Sequence, residues 1–231
     1  MLGAMRLKKE NIHLLPDGPR QFLEARVAEG IHSDSGLLTE FAGRLCYQSW
    51  DNASGRTTEQ YLLNITDQRH FSVLEHTSIM FVLFGVSRAF THELVRHRHF
   101  SFSQLSQRFV NEQDVGIVVP PAMRDQPEMQ ARLQAFQENA RSAYADLVAE
   151  LDAVLAKDLT LSKTMRRKRA REAARALLPN MTPTQIAVTG NMRAWLEFAD
   201  KRNNEHADLE MQTVAKEIVR QIAEEFPEVF A

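Results

Sequence analysis

Between Arg96 and Arg108 the chain reads Arg-His-Arg-His-Phe-Ser-Phe-Ser-Gln-Leu-Ser-Gln-Arg. Adjacent residues of a helix point about 100° apart, so Arg96, His97 and Arg98 cannot share one helix face. Phe, Ser, Phe and Ser follow almost at once, which fits a helix end running into a polar turn. Guanidinium groups and free backbone N–H groups gathered there are suited to holding an anion from several sides. An ordinary basic patch would need the same residue types.

A second group is His70-Phe-Ser-Val-Leu-Glu-His76. Two histidines six apart with a glutamate between them hint at a metal. They lack the four-residue spacing of a helical His-Glu-x-x-His site, and no third ligand is evident. The expectation is no metal, and a loop whose histidines hydrogen-bond locally. A third group, Ser162 to Leu178, carries Lys163, Arg166, Arg167, Lys168, Arg169, Arg171 and Arg175, with Glu172 in partial compensation. A run of this kind reads as a solvated helix face or as a contact to a phosphate backbone.

The Arg-His-Arg, seven residues, Ser, then Arg two further on, resembles the signature of the flavin-dependent thymidylate synthases. His-x-Ser-x-x-Glu-His before a strand, Arg175 ahead of Leu-Leu-Pro, Asn191-x-Arg193 and Arg202-x-x-x-His206 follow that family's order. The resemblance runs from about His70 to His206. It implies a nucleotide (dUMP) site of Glu93, Arg96, Gln104, Leu105, Ser106, Gln107, Arg108, Arg175 and Arg202, with Arg202 catalytic at the base. It implies an FAD site of His70, Ser72, Glu75, Arg88, Arg96, His97, Arg98, Gln104, Asn191, Arg193, Glu197 and His206. Some relatives have Asn where Glu197 stands and Glu where Gln104 stands. Arg88 reads equally as a surface residue. The reaction implied is reductive methylation of dUMP to dTMP. Methylenetetrahydrofolate would be the carbon donor and NADPH-reduced FAD the hydride source. The implied fold is α+β, a twisted, mainly antiparallel sheet flanked by helices, assembled as a homotetramer with shared active sites.

Residue chemistry runs parallel to this. A dianionic phosphate calls for arginines and neutral donors. Carbon 5 of uracil is a weak nucleophile, and one route to activating it is covalent attack by a cysteine. The chain has a single cysteine, Cys46. It falls among Leu37, Leu38, Phe41 and Leu45 at helical spacing after a possible cap at Ser35, so a small buried side chain is expected there, not a nucleophile. The other route polarises the ring with a cation, here Arg202, and leaves the hydride to a cofactor. The competing class is a non-enzymatic nucleic-acid binder using Arg96 to Arg108 and Lys163 to Arg175, with Phe100 and Phe102 stacking on bases.

Elements must position these residues. With 231 residues, 44% apolar and 25% charged, one domain over 1–231 is expected. Lys+Arg 28 against Asp+Glu 30 argues against general affinity for nucleic acid. No signal-type or membrane-spanning run is seen, and one cysteine excludes an internal disulfide, so the cytoplasm is expected. There is no glycine-rich dinucleotide fingerprint. Met5 to Leu15 reads as a short strand ending in a turn at Pro16-Asp-Gly-Pro19. Thr58 to Asp67 reads as a helix with Tyr61, Leu62 and Ile65 inward. Ile79 to Val86 reads as a strand buried on both faces. Ser87 should cap a helix carrying Phe90, Leu94 and Val95 to the core. Phe109-Val110 and Val115 to Val119 read as short strands. From Pro127, Met129, Leu133, Phe136, Ala140, Tyr144, Leu147, Leu151 and Val154 form the seam of a long amphipathic helix, for a helix or subunit contact. Thr182-Pro183 should open a helix carrying Ile186, Val188, Met192, Trp195 and Phe198, continuing so that Arg202 and His206 share a face. A last helix spans Leu209 to Phe226.

Overall fold

The computed structural model describes residues 9–29, 34–50 and 56–230. They form two compact units, each assembled from separated stretches of chain, so no linker was there to be read from the sequence.

Unit one takes in Met1–Ile79, Gly190–Asn203 and Ala215–Ala231. It begins with a 3-10 turn, Lys9–Leu14, where a strand was expected; Met5–Lys8 lie outside the described residues. Pro16-Asp-Gly-Pro does not close a turn. Pro16 is the N-cap of α1 (Asp17–Ala28) and Pro19 sits in its first turn, where the missing N–H costs nothing. Helix α2 spans Asp34–Tyr47, so Ser35 lies inside the helix and is not its cap. Phe22, Leu23 and Leu37 pack with Ile12, Leu15, Phe41 and Trp50. Leu38, Leu45 and Cys46 are on the opposite, exposed side, which corrects the expectation of a buried thiol. The apolar stripe is narrower than the sequence suggested. Beside it, Glu40 is fully buried between Arg26 and Arg44.

Helix α3 spans Thr58–Asp67 as expected, and a reciprocal Thr57–Gln60 capping box opens it. Leu62 and Ile65 are buried, with Tyr61 half-buried. Its end is a Schellman motif: the His70 N–H donates to Ile65 O at 3.0 Å and the Arg69 N–H to Thr66 O at 3.0 Å. Arg69 takes the left-handed position, φ 56°, that glycine usually fills. A 3-10 turn, Val73–His76, follows. The remaining parts of this unit bring Trp195, Phe198, Ile218, Ile222 and Phe226 to its core.

Unit two takes in Met80–Thr189 and Asn204–Val214. The chain enters it along β1 (Ser78–Ser87). Val86 is buried, but Met80, Val82 and Phe84 are 63%, 57% and 76% exposed, so the strand is not buried on both faces within one chain. Ser87 caps α4 (Arg88–Leu94), its Oγ accepting from the Phe90 N–H. Phe90 and Leu94 are buried, while Val95, just past the helix, is exposed. Strand β2 (Ser101–Gln104) pairs antiparallel with β3 (Pro183–Asn191), Phe102 opposite Val188. The three strands lie in the order β1-β3-β2. The class is therefore α+β with a small antiparallel sheet.

β3 replaces part of the expected helix. Thr184, Ile186 and Val188 alternate inward with period two, and Thr184, Ile186, Val188 and Thr189 are all β-branched, which suits a sheet better than a helix. The helix proper, α7 (Met192–Arg202), starts only after Asn191, whose Oδ1 accepts from the Ala194 N–H at 2.9 Å. It stops at Arg202, and His206 stands in the following turn, so the two do not share a helix face.

The segments 109–110 and 115–119 are not strands: they run without a ladder, apart from single bonds such as Val118 N–H to Met181 O. Helix α5 (Pro127–Leu155) packs against α6 (Lys163–Ala174). Of the expected seam, Ala140 and Tyr144 are buried but Met129, Phe136 and Val154 are exposed. Helices α8 (Leu209–Glu225) and α9 (Pro227–Phe230) end the fold, with Met211, Ala215, Ile218 and Ile222 of α8 buried.

Candidate active site

In unit two, the start of α4 is pinned to the segment that follows α6. The Arg88 N–H donates to Thr182 O and the Ala89 N–H to Asn180 O, both at 3.0 Å. Ser87 is held in turn by Glu210, whose carboxylate accepts from its N–H at 2.7 Å and its Oγ–H at 2.6 Å. This sets Arg88 beside Arg175, the residue at which α6 ends. Between them lies a cavity of about 560 Å³, also walled by Thr91, His92, Gln104, Gln107, Glu172 and Asn180.

The cavity gathers two guanidiniums. Arg88 Nη2 donates to Leu105 O at 3.0 Å, while its Nε is buried with no hydrogen-bond partner. Burial lowers the basicity of this guanidinium, Arg175 lowers it further, and the carboxylate of Glu112 opposes them. Two cations facing one space, one with an unsatisfied donor, are relieved by a ligand that brings negative charge and acceptor oxygens. Glu112 is only 4% exposed, and burial raises its carboxyl above the ordinary range against the pull of Arg88. Nothing in the sequence marked Glu112, Thr91 or Asn180.

The motif beside this cavity begins as expected, in turns past the end of α4, but Ser101–Gln104 forms strand β2 against β3 and not the expected polar turn. Past α4, the Arg96 N–H donates to Glu93 O, the His97 N–H to Leu94 O and the Phe100 N–H to His97 O, so the three basic residues occupy consecutive tight turns. Arg96 and Arg98 are exposed. The His97 ring lies 6.0 Å from Phe100, which meets Phe102 edge-on. Ser106 Oγ accepts from the Arg108 N–H at 3.4 Å, and the Arg108 guanidinium lies 2.7 Å from Glu172. Part of the α6 charge is tied to the chain itself: Arg171 donates to Phe109 O and Lys168 stands 4.9 Å from the Phe109 ring centroid. That leaves less of it for a nucleic-acid backbone.

In unit one, a cavity of about 380 Å³ is lined by Cys46, Tyr47, Tyr61, Ile65, Arg69, His70, Phe71, Ser72, Val73 and Arg193. The Schellman turn at Arg69 delivers His70 to it. Gly43 of α2 lets Tyr61 approach, since a Cβ there would stand 2.0 Å from the Tyr61 hydroxyl. Burial raises the Tyr61 phenol above its usual range, so it keeps its proton. Arg193 Nη1 donates to Glu75 Oε1 at 2.7 Å, and its Nε lies 3.5 Å from Glu197. Glu197 also meets Lys201 at 3.7 Å. Aromatic walls with a few polar edges suit a flat heteroaromatic ring.

The structure thus brings Arg88, Gln104, Gln107 and Arg175 together, and separately His70, Ser72 and Arg193, with Glu75 and Glu197 attached through Arg193. Glu93, Arg96, His97, Arg98, Leu105, Ser106, Arg108, Asn191, Arg202 and His206 are not on the walls of either cavity. Among the described residues, no three His, Cys, Asp or Glu side chains gather as a metal site.

Comparison with known proteins agrees in one direction. The family model described as "Thymidylate synthase complementing protein" matches residues 31–228. The flavin-dependent thymidylate synthase of Mycobacterium avium (strain 104) is 52% identical over 202 residues, 86% of this chain and 80% of that one. That of Mycolicibacterium vanbaalenii is 52% identical over 205 residues, with the same shares covered. The fold is similar to that of thymidylate synthase X from Helicobacter pylori, solved with FAD and dUMP. The TM-score is 0.63 at 24% identity, covering 84% of this chain and 92% of that one. A family match over most of the chain, with relatives at this identity, makes the protein an enzyme and removes the non-enzymatic alternative. The chain belongs to the flavin-dependent thymidylate synthases.

Proposed function

We propose that the protein converts dUMP to dTMP, with methylenetetrahydrofolate as carbon donor, FAD as its flavin and NADPH as reductant, and without a cysteine nucleophile. The observation that carries this reading is the pairing of Arg88 and Arg175 across one cavity, with the Arg88 Nε buried and unsatisfied. A nucleotide monophosphate supplies the charge and the oxygens that this pair lacks. Arg88 is therefore assigned to the nucleotide phosphate, with Arg175, Gln104 and Gln107, in preference to a flavin phosphate.

The residues of the second cavity fit a flavin. Tyr47, Tyr61 and Phe71 offer faces for a flat ring, and His70, Ser72 and Arg193 offer donors at its edges. Bound there, the flavin would supply the hydride of the reduction. The Glu75 contact holds the Arg193 fork in place, and the flavin-contacting role of Glu75 and Glu197 is assigned through that arginine.

Arg202 is assigned to the uracil ring. Activating carbon 5 builds negative charge on the ring nitrogen and its neighbouring oxygens. A guanidinium stays protonated and presents paired donors, so it stabilises that charge without giving up a proton. Glu93, Arg96, Leu105, Ser106 and Arg108 complete the proposed nucleotide set. Arg98, His97, Asn191 and His206 complete the flavin set. Cys46 lines the second cavity and not the Arg88–Arg175 cavity assigned to dUMP, and the proposed mechanism does not use it. The exposed apolar stripe of Met80, Val82 and Phe84 on β1 supports assembly into a homotetramer. Among the described residues no helix is long and apolar enough to cross a membrane. A single cysteine suits the cytoplasm.

The test is direct. Purified protein should carry a flavin absorbance band. It should form dTMP from dUMP only when the folate and NADPH are both present. A colourless protein that binds no FAD on titration would overturn the reading.

A further inference from the structure

A glutamine amide has two ends of the same shape and opposite chemistry, and what fixes its orientation decides what it offers a ligand. Gln104 ends β2 on the wall of the Arg88–Arg175 cavity. Its Nε2 lies 3.0 Å from Thr91 Oγ1 and 3.4 Å from Thr184 Oγ1. A hydroxyl can serve either end of an amide, so these contacts alone do not choose. The choice is made one step further back. The Thr91 hydroxyl already donates its proton to Arg88 O at 3.1 Å, a bond to the residue three earlier in α4. Only its lone pairs remain toward Gln104, and a lone pair requires the NH2 end. Thr91 and Thr184 are each 3% exposed, so neither hydroxyl has ready access to water as a substitute partner.

We infer that Thr91 is a positioning residue which, with Thr184, locks the Gln104 amide so that its carbonyl oxygen is what the cavity offers a nucleotide. This rests on the assignment of the cavity to a nucleotide phosphate. The consequence is a rule of selection. Next to two guanidiniums that take the phosphate, Gln104 presents a neutral acceptor. It fits a ligand that carries an O–H donor beside its phosphate, the hydroxyl of a deoxyribose being the matching class. A carboxylate at this place would also accept, but it would repel the phosphate; the amide accepts without that charge.

The experiment uses the flavin-loaded enzyme and two probes, inorganic phosphate and dUMP, titrated by calorimetry into the parent, Thr91→Val and Thr91→Ser. Thr91→Val keeps the shape and loses the hydroxyl. It should bind inorganic phosphate as the parent does and dUMP about three- to tenfold more weakly, the usual worth of one neutral hydrogen bond. The loss should appear in KM more than in kcat, because the contact is made before and during the reaction alike. Thr91→Ser should restore dUMP binding. Parent-like dUMP binding by Thr91→Val would overturn the inference. So would an equal loss of both probes, or a Thr91→Ser variant as weak as Thr91→Val. A parent that binds dUMP but not inorganic phosphate would instead remove the phosphate assignment, and the inference with it. If Thr91→Val does not fold, the parent itself carries the test. The 2′,3′-dideoxy analogue of dUMP should bind about three- to tenfold more weakly than dUMP, and equal affinities would overturn the proposal.

Discussion

Replacing Arg88 by Met should weaken dUMP binding by one to two orders of magnitude and leave the fold at least as stable as before. Met keeps much of the stem and removes the charge. In the free protein the guanidinium is not a comfortable group: its Nε is buried without a partner and Arg175 shares its cavity. An unsatisfied buried donor costs about 1–3 kcal/mol. Against that relief stands the lost bond to Leu105 O, about 1 kcal/mol. The balance runs from zero to a gain of about 2 kcal/mol, so stability should change by no more than about 2 kcal/mol. With a phosphate present the account differs. Arg88 would make a charge-assisted hydrogen bond worth about 1.5–3 kcal/mol. At 1.4 kcal/mol per decade, its loss is roughly 10- to 150-fold in affinity. Calorimetric titration of dUMP and urea unfolding of the same preparations give both numbers. Unchanged dUMP affinity would refute the phosphate assignment. A loss of stability beyond about 3 kcal/mol would refute the claim that Arg88 is kept for its ligand and not for the fold.

Arg202→Ala and Arg202→Lys should both lose on the order of a hundredfold in single-turnover methylation while flavin reduction by NADPH changes far less; parent-rate methylation would remove Arg202 from catalysis. Cys46→Ala should retain turnover, and its loss in a folded, flavin-loaded variant would point to covalent catalysis. Glu40→Ala should cost about 3–5 kcal/mol, because it strands Arg26 and Arg44 in the interior. A urea-derived loss below about 1 kcal/mol would show that these charges are not buried as described. Glu112→Gln tests the buried carboxyl. Its raised folded value means that the folded protein holds this proton to higher pH than the unfolded chain does. The stability that this proton contributes is present at acid pH and fades as pH rises through the raised value. The stability of Glu112→Gln relative to the parent should therefore climb as pH rises above about 4.5, the ordinary value of the carboxyl; a difference that does not vary with pH would exclude this role for the group.

The sequence by itself carried what depends on residue type and short spacing. Arg96 to Arg108 and His70 to His76 stood out because their residue types are unusual side by side, while Asn191-x-Arg193 and Arg202 were marked by the family resemblance. Helices α3 and α5 were visible because their apolar periods are local. Ser87 was legible as a cap because a serine directly before a helical pattern is a local signal. What the sequence left open was decided by contacts far apart along the chain. Ile186 and Val188 looked like the start of α7 until pairing with Phe102 and Ser101–Gln104 made them a strand, since a short apolar run fits either element. Cys46 looked buried because its neighbours were apolar, but the packed face of α2 turned the other way. Arg88 was one arginine among many. Only the bonds from α4 to Asn180 and Thr182 bring it to Arg175, 87 residues away in sequence, and only there does an unpaired buried donor become an anion site. The same holds for Thr91 and Gln104. A hydroxyl's role is set by where its proton already goes, and that is a fact of three dimensions.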